Sequence, residues 1–372
     1  MPYDLSHPQG KTAYLLKGGR RQRVDQGGPT EFLYGCLQLQ KAGYDVTFIE
    51  DKELSLGTRP GYIWRAINHS FFVLTGIPLW TLFRLMSRSN LHRLNAFESI
   101  VVTTTTFGVC LGLLRRLGML RAKVLFIAMG LVEKSTPRRV IAVYRWLFGN
   151  DTTILALSNA DADWLTAKFG KQVSCIPFGV DTSFWYPSSS VASVGRDGYV
   201  LSIGNDLNRD YRTLIDCWKE NYPQLRIITR LNIPPHSNNV IRLVGDWHQQ
   251  ELSDKNIRCL IQNALFVVLP IKDTIQPSGQ SACLQAMACG KAVIITDFPG
   301  LWNRELLRNG DTCIIAGPPG GVTELQLAVE RLIADVSLPI TIGTNARKVV
   351  ESSLGVGDMA RAIATELDRL AS

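Results

Sequence analysis

The chain has 372 residues, of which 46% are hydrophobic and only 19% are charged. This composition excludes a disordered or fibrous protein, and the length exceeds that of one ordinary domain of roughly 100–200 residues. The net charge of +8 is uneven, because residues 1–180 hold 22 Lys and Arg against 12 Asp and Glu, whereas residues 181–372 hold 18 against 20. A basic half can meet anionic lipid, an anionic small molecule or simply solvent. We expect no nucleic-acid partner, since the basic residues form no recognised nucleic-acid-binding module.

The cysteines and the apolar runs point to a cytoplasmic protein. The eight cysteines are scattered and contain no CxxC pair, so we expect them to be reduced core residues. The first residues, MPYDLSHPQGK, lack the apolar core of a secretory leader. The longest charge-free run, Ala66–Phe83, is interrupted by polar residues, a glycine and a proline, so we expect no membrane span there.

Strands and helices alternate along the first half. A strand at Thr12–Lys17 leads into the loop GGRRQRVDQGGPT, and a helix is predicted from Pro29-Thr30-Glu31 to Gly43 because these residues suit a first turn. Further strands are predicted at YDVTFIE, Ser99–Thr103, Lys123–Ala128 and Thr153–Leu157, with helices at Arg138–Phe148 and Ala160–Phe169. This alternation predicts a parallel sheet covered on both faces.

The same pattern restarts after the turn-rich segment PFGVDTSFWYPSSS. The predicted elements are YVLSIG, a helix at Tyr211–Glu220, LRIITR, NVIRLVG, a helix at Gln249–Asn263, LFVVLP, a helix at Ser281–Cys289 and AVIITD. Two α/β domains therefore account for the chain. In the loop before the last helix, Ser278-Gly279-Gln280-Ser281 would offer free backbone amides and a positive dipole end to an anion such as phosphate.

Four segments together resemble the family 4 glycosyltransferases. LQAMACGKAVIITDFPG is similar to the family's EAMACGKPVI followed by a strand end and PG. The other three are IPFGVDTSFWYP, similar to IPNGVD-x-x-x-F-x-P, the stretch YVLSIGNDLNRDYRTLI, and the GGP loop after the first strand. They follow the family's order from residue 11 to about residue 300.

The resemblance implies the GT-B fold, an α/β architecture of two Rossmann-like, doubly wound parallel-sheet domains facing a cleft. We expect an acceptor-side domain at 1–185, a nucleotide-sugar donor domain at 186–350, and a C-terminal helix at 351–372 that packs back on the first domain. The resemblance also implies transfer of a sugar from a nucleoside-diphosphate sugar, usually with retention of configuration.

The departing diphosphate must be neutralised by a divalent metal or by fixed cations and helix N-termini. We expect no metal and no cofactor, because no His/Cys cluster is present and Asp161-Ala162-Asp163 falls on a predicted surface helix. Arg209 stands where the family has its lysine and is the first choice for the cation, ahead of Arg212 and Arg230. Asn205 replaces an arginine that the family uses for the diphosphate.

The family's two glutamates, spaced E-x7-E, are also replaced. The second, a ribose ligand, is Gln285, whose amide can still bond to a diol. The first, a sugar ligand, is Pro277, so Gln276, Ser278 or Asp273 would have to recognise the sugar. The expected donor-binding residues are Gly27, Gly28, Asn205, Arg209, Arg230, Gln276, Ser278, Gly279, Gln280, Ser281 and Gln285.

On the acceptor side, Gly27 and Gly28 would let the loop backbone approach the donor without a Cβ clash, or would form a simple tight turn. Many family members place a histidine after the strand that corresponds to Val124–Ala128. Here the nearest ionisable group is Glu133, which joins Arg209 as a candidate catalytic residue.

The stretch Tyr62–Asn95 combines aromatic bulk with four arginines. It fits an anionic membrane interface and equally fits core helices with charged rims. With the basic first half, it favours a protein peripheral on the cytoplasmic membrane that glycosylates a lipid-linked acceptor or a cell-surface glycan precursor. Two alternatives stay open, namely a nucleotide-sugar 2-epimerase and a degenerate, non-catalytic nucleotide-sugar-binding subunit.

Overall fold

The computed structural model describes residues 10–54, 61–149, 152–188, 198–244 and 252–371. The chain forms two compact units, the first from residues 1–177 and 357–372 and the second from residues 178–356. The chain thus leaves the first unit once and returns to it at its C-terminal end. The change of unit at residues 177–178 precedes the expected domain boundary at 185–186.

The first unit is built on six parallel strands in the order β2-β1-β3-β4-β5-β6. The strands are β1 (Thr12–Leu16), β2 (Val46–Glu50), β3 (Ser99–Val102), β4 (Lys123–Ile127), β5 (Thr152–Ala156) and β6 (Ser174–Cys175). Every residue of β1 and β3 is buried. Such uninterrupted burial is typical of parallel strands with helices on both faces.

Nine helices of the described residues belong to this unit. They are α1 (Arg20–Asp25), α2 (Cys36–Lys41), α3 (Tyr62–Thr75), α4 (Leu79–Met86), α5 (Arg88–Leu94), α6 (Thr105–Arg116), α7 (Arg138–Leu147), α8 (Asn159–Phe169) and, at the end of the chain, α14 (Val356–Ala371). One apolar core joins the sheet to α4, α6, α7 and α8.

The helix predicted from Pro29 to Gly43 is wrong, because the structure breaks it into a short 3-10 turn at Glu31–Leu33 and helix α2. Tyr34 and Gly35 between them both have positive φ angles, 49° and 78°. Helix α14 approaches so closely that a Cβ on Gly35 would lie 2.8 Å from the Cα of Ala360. Only glycine satisfies both the left-handed backbone and this close approach.

The second unit has six parallel strands in the order β12-β11-β10-β7-β8-β9. The strands are β7 (Tyr199–Ile203), β8 (Gln224–Ile228), β9 (Val240–Leu243), β10 (Ala264–Leu269), β11 (Val293–Thr296) and β12 (Ile314–Ala316). The helices are α9 (Tyr211–Asp216), α10 (Asp254–Asn263), α11 (Gln280–Ala288), α12 (Val322–Ala334) and α13 (Leu338–Ser353).

Two helices of this unit are shorter than predicted. Helix α9 ends at Asp216 rather than Glu220. Helix α10 begins at Asp254 because Ser253 caps it, its Oγ accepting from the Asn256 amide at 3.2 Å. The predicted start at Gln249 lies outside the described residues.

In each sheet the strand order reverses once, between β1 and β3 in the first unit and between β7 and β10 in the second. The loops at the carboxyl ends of two such strands diverge and leave a crevice, where doubly wound sheets bind ligands. The fold alone therefore singles out two positions, one in each unit.

Candidate functional site

The position singled out in the second unit holds most of the predicted donor residues. Strand β7 ends at Ile203 and leads into the loop with Asn205 and Arg209, while β10 ends at Leu269 and leads to the start of α11. The two loops meet, since Arg209 and Ile271 form a backbone bridge. Residues 70 positions apart thus face each other at one edge of the sheet.

Arg209 lies at the centre of this position. Its side chain is buried, with 4% of its surface exposed. The guanidinium lies against two glycines, because a Cβ on Gly204 would be 1.9 Å from its Nε and a Cβ on Gly279 would be 2.6 Å from its Nη1. Gly279 is the N-cap of α11 and has a φ angle of +83°. The guanidinium therefore lies directly before the first turn of that helix.

This arrangement places a cation at the positive end of a helix dipole, which is unfavourable unless an anion lies there too. The Asp206 carboxylate partly neutralises this cation, with Oδ2 at 3.0 Å from Nε. The Asp206 carboxylate is 40% exposed, so solvent weakens its effect. Nη1 is buried and has no hydrogen-bond partner among the described residues. A buried, unpaired guanidinium nitrogen costs free energy, which a bound anion would recover.

Hydrogen bonds between the two loops fix the geometry around Arg209. The Asn208 side-chain amide donates to Ser278 Oγ at 2.8 Å, and the backbone amide of Lys272 donates to the Asn208 carbonyl at 2.8 Å. Tyr211 donates its hydroxyl to the Gly204 carbonyl at 2.8 Å. Burial raises the pKa of Tyr211 to about 12, so the phenol stays a neutral donor. The site is therefore preorganised rather than assembled from free loops.

Asn205 and Arg230 lie at the neighbouring strand ends. The Asn205 side-chain oxygen accepts from the Arg230 amide at 2.7 Å, which ties the loop after β7 to the end of β8. The Arg230 side chain is exposed, as is that of Arg212 on α9. Asn205 thus has a clear structural contact in the position where the resemblance implies a diphosphate ligand.

The remaining donor candidates lie on the loop before α11 and on that helix. Gln276, Ser278 and Ser281 are partly exposed, whereas Gly279, Gln280 and Gln285 are buried. The backbone amide of Gln276 is held by Thr274 Oγ1 at 3.1 Å, and the amide of Ser278 by the Gln276 carbonyl at 2.7 Å. The N-cap Gly279 supplies no side-chain cap, and the Gln280 amide donates to the Pro277 carbonyl at 3.3 Å, so the next amides of the first turn are the ones that can meet another acceptor.

Gly27 and Gly28 lie in the first unit and close helix α1. The Gly28 amide donates to the Arg23 carbonyl at 2.9 Å and the Gly27 amide to the Val24 carbonyl at 2.8 Å, a Schellman motif with Gly27 at φ +75°. The two amides are therefore engaged by the backbone. This turn explains Gly27 structurally, and contact of either glycine with a donor remains a prediction.

Glu133 is exposed in the loop that follows β4. Its backbone amide donates to Thr136 Oγ1 at 2.8 Å, and Ser135 Oγ donates to its carboxylate at 3.4 Å. Glu133 belongs to the first unit and Arg209 to the second, so the structure of neither unit brings these two candidates together.

No group of three or more His, Cys, Asp or Glu side chains in the described ranges could hold a metal ion. The two carboxylates of the acid-x-acid triplet differ in solvent exposure, since Asp163 is exposed and Asp161 is fully buried. The expectation of a surface position is therefore wrong for Asp161. Burial raises its pKa to about 7, and neither of its carboxylate oxygens has a hydrogen-bond partner in the described structure.

Residues 223–335, which include the loop before α11 and the helix itself, match the family model Glycosyl transferases group 1. The match lies within the second unit, which therefore resembles a group 1 glycosyltransferase domain. This match and the fold together assign the chain to the transferases, in agreement with the resemblance seen in the sequence. They do not favour the epimerase or the non-catalytic alternative. No curated protein matches the sequence significantly.

Several solved structures share the fold of the glycosyltransferase chain over nearly its whole length. Sucrose-phosphate synthase from Thermosynechococcus elongatus is 17% identical, with a TM-score of 0.69 over 97% of this chain and 100% of that one. Anabaena Alr3699/HepE in complex with UDP-glucose is 17% identical, with a TM-score of 0.68 over 97% and 100%. WaaG, a glycosyltransferase involved in lipopolysaccharide biosynthesis, is 12% identical, with a TM-score of 0.60 over 95% and 99%. The fold is therefore GT-B.

Sequence reasoning missed three residues of the glycosyltransferase's candidate site, namely Gly204, Asp206 and Asn208. Gly204 leaves the space for the guanidinium, Asp206 pairs with it, and Asn208 joins the two loops. Gly204 carried a signal as a glycine directly after a buried strand, and Asp206 carried one as an acid three residues before Arg209. The role of Asn208 depends on which residues the loop from β10 brings near, and spacing along the chain does not reveal that.

Proposed function

We propose that the protein transfers a sugar from a nucleoside-diphosphate sugar to an acceptor hydroxyl, and that Arg209 with the first turn of α11 binds the diphosphate. Relatives of the fold support this donor class, since Alr3699/HepE forms a complex with UDP-glucose. UDP is therefore the first nucleotide to test.

The buried guanidinium of Arg209 is the observation that supports the proposal most directly. Within the described ranges its Nη1 has no hydrogen-bond partner, it lies before a helix N-terminus without a side-chain cap, and it forms an ion pair with a partly exposed carboxylate. A diphosphate would accept from Nη1 and from the helix amides at once. Charge-assisted hydrogen bonds of this kind are about twice as strong as neutral ones.

In the reaction, the bond between the sugar's anomeric carbon and the diphosphate oxygen breaks while the acceptor oxygen bonds to the same carbon. Negative charge develops on the leaving diphosphate, where Arg209 and the α11 amides stabilise it without a metal ion. The acceptor's proton passes to a leaving phosphate oxygen, so a transfer with retention needs no separate protein base. Glu133 is the alternative proton acceptor.

We place the acceptor at the cytoplasmic face of a membrane, as a lipid-linked molecule or a cell-surface glycan precursor. The basic surplus of the first half supports this choice. WaaG, which has the same fold, is involved in lipopolysaccharide biosynthesis.

Calorimetry with UDP, in the presence of EDTA and without lipid, tests the donor site. We expect binding that is unchanged when Mg²⁺ or Mn²⁺ is added, and UMP should bind more weakly because it has one phosphate fewer for Arg209. UDP binding that EDTA abolishes and Mg²⁺ restores would contradict a metal-free site. The other nucleoside diphosphates are then tested by a thermal-shift screen. If none of them binds, the proposal that Arg209 and α11 bind the donor is wrong.

A further inference from the structure

Helix α3 exposes its apolar face. None of its fourteen residues is buried. Ile63 is 73% exposed, Leu74 56% and Trp64 54%, although soluble helices usually direct such side chains to the core. No single helix of the described residues is long and apolar enough to span a membrane, and the pair α3 and α4, which passes that test together, is bent by 103°.

The attachment of α3 to the rest of the unit explains which face is free. Asn68 accepts from the Trp80 amide at 3.0 Å through its side-chain oxygen, and Phe71 packs against the core. Ile63, Ile67 and Leu74 share one side of the helix next to Phe71 by helical spacing, and all three are exposed. The helix is thus held through Asn68 and Phe71, and the aliphatic side chains beside this attachment form its outward face.

The helices α3, α4, α5 and α7 carry charges of one sign. Residues 62–94 and 138–147, which contain α3, α4, α5 and α7, include seven arginines and no Asp or Glu. Arg65, Arg88, Arg138 and Arg139 are exposed. Arg139 donates to the Val73 carbonyl at 3.3 Å, which places the start of α7 beside the end of α3.

We infer that the outward face of α3 and the flanking arginines form a docking surface for an anionic phospholipid bilayer. Apolar side chains with Tyr or Trp and a basic rim are the pattern of helices that lie in a membrane interface. The core of a protein interface is instead depleted of charge, so the exposed Arg65, Arg88, Arg138 and Arg139, with no acid on the same helices, favour lipid over a protein partner. This inference extends the proposed function by naming how the enzyme reaches its acceptor, but docking itself does not require the transfer reaction.

The structure also shows that not every arginine of the Tyr62–Asn95 stretch serves this surface. Arg84 donates to the carbonyls of Asp51 and Leu54, and Arg93 forms an ion pair with Glu53 at 2.8 Å. Helices α4 and α5 contribute Leu82, Leu85 and Leu94 to the core. The stretch is therefore divided, with α3 on the surface and the next two helices in the core.

Flotation with vesicles of phosphatidylcholine alone and of phosphatidylcholine with phosphatidylglycerol tests the surface. We expect the protein to float with the anionic vesicles, and Ile63→Ser/Leu74→Ser to weaken this binding at least about tenfold at all salt concentrations. Arg65→Gln/Arg138→Gln should weaken binding roughly 25-fold at low salt, about fivefold for each arginine. Its effect should nearly vanish at 1 M salt, where the Debye length is about 3 Å.

Leu327→Ser/Ile340→Ser is the matched control, since these side chains are 60% and 58% exposed on α12 and α13 of the other unit. It should float like the unchanged protein. Absence of flotation with anionic vesicles at low salt, or equal flotation of the Ile63→Ser/Leu74→Ser variant, would overturn the inference. So would a dimer in light scattering that this variant converts to a monomer, because the face would then bind a second copy. UDP binding is measured separately, without lipid. A protein that binds UDP but does not float would contradict the docking surface and leave the proposed donor site intact.

Discussion

The two units have closely similar sheets but place different chemistry where the strand order reverses. In the second unit the loops after β7 and β10 enclose the buried guanidinium of Arg209. At the corresponding edge of the first unit, Tyr34 lies with its hydroxyl 3.6 Å from the sulfur of Met129 and within reach of Thr103. Burial raises the pKa of Tyr34 although Arg20 and Thr103 oppose the shift, so the phenol is neutral.

This difference shows that the topology selects a position and the side chains select its ligand. A buried cation before a helix N-terminus suits a diphosphate. In the first unit a neutral phenol, a hydroxyl and a thioether lie together with the partly exposed Arg20 guanidinium beside the phenol, so the cation there is less buried than Arg209. The first unit has its own buried charge, Asp161 after β5, which lacks hydrogen-bond partners in the described structure as Arg209 Nη1 does.

Removal of Arg209 is the strongest test of this comparison. Arg209→Ala should lower the transfer rate about 10²- to 10³-fold, a loss of roughly 3–4 kcal/mol of transition-state stabilisation, because the developing diphosphate charge loses its buried cation. Steady-state kinetics with the donor measure the effect. Arg230→Ala, at an exposed side chain nearby, should have a much smaller one. Unchanged kinetics of Arg209→Ala would show that the second unit's buried cation is structural.

The buried acid of the first unit should affect stability rather than donor binding. The pKa of Asp161 is raised to about 7, so its ionisation destabilises the folded protein, with a penalty that is absent near pH 4, grows up to pH 7 and stays constant above it. Asp161→Asn removes this penalty. It should stabilise the protein by about 2 kcal/mol more at pH 8 than at pH 5.

Urea unfolding at the two pH values measures this difference. The exposed Asp163→Asn on the same helix is the control and should show no such pH dependence. A pH-independent effect of Asp161→Asn would mean that the carboxyl group has the same pKa in the folded and unfolded states.

Gly204 tests whether the guanidinium must lie where the structure places it. Gly204→Ala introduces a Cβ 1.9 Å from Arg209 Nε, so the arginine must move away from α11. We expect nucleoside-diphosphate binding to weaken about tenfold, since a displacement of this size misaligns the hydrogen bonds.

Gly320→Ala provides the matching control for Gly204→Ala. Gly320 has a φ of +79° and no atom near its Cβ position, so this variant should lose only stability, by about 1 kcal/mol. Equal calorimetric binding by Gly204→Ala and the unchanged protein would refute the predicted displacement of Arg209.

The smallest effect is expected at Asp206. Asp206→Asn removes a carboxylate that pairs with Arg209 and repels the diphosphate, so binding should tighten about three- to tenfold, limited by the solvent exposure of this pair. Calorimetry at low salt measures this change in affinity. Asp311→Asn, which breaks a similarly spaced pair with Arg308, should leave the affinity unchanged. Weaker binding by Asp206→Asn would make Asp206 a positioning residue for the guanidinium instead of a competitor.

Much of the architecture could be predicted from the sequence. The buried strands of both sheets were recognisable because parallel strands with helices on both faces are continuous apolar runs. The start of α11 could be located within one residue, since a glycine-bearing loop precedes it. The order of the motifs gave the fold, and the match over residues 223–335 agrees with it.

The failures have local and tertiary causes. The helix from Pro29 to Gly43 is broken because α14, more than 300 residues further along the chain, contacts Gly35. The expected surface position of Asp161 is wrong because α8 packs against β5 and β6, which its place on a helix after a strand does not reveal. The outward apolar face of α3 resembles a core helix in sequence, since composition does not reveal which side of a helix the rest of the unit covers.

The sequence by itself determined two α/β sheets and the loop before α11, because these depend on local spacing and on apolar runs, whereas the choice of Arg209 came from the family resemblance. Tertiary structure decided that Arg209 is buried between Gly204 and Gly279, that Asp206 pairs with it, and that Asn205 ties two strand ends together. The contacts of Arg209 with Gly279 and of Asn205 with Arg230 join residues far apart in the chain, whereas Gly204 and Asp206 lie close to Arg209 in sequence. The energies of these contacts depend on burial and on distances of a few ångströms, which only the folded backbone fixes.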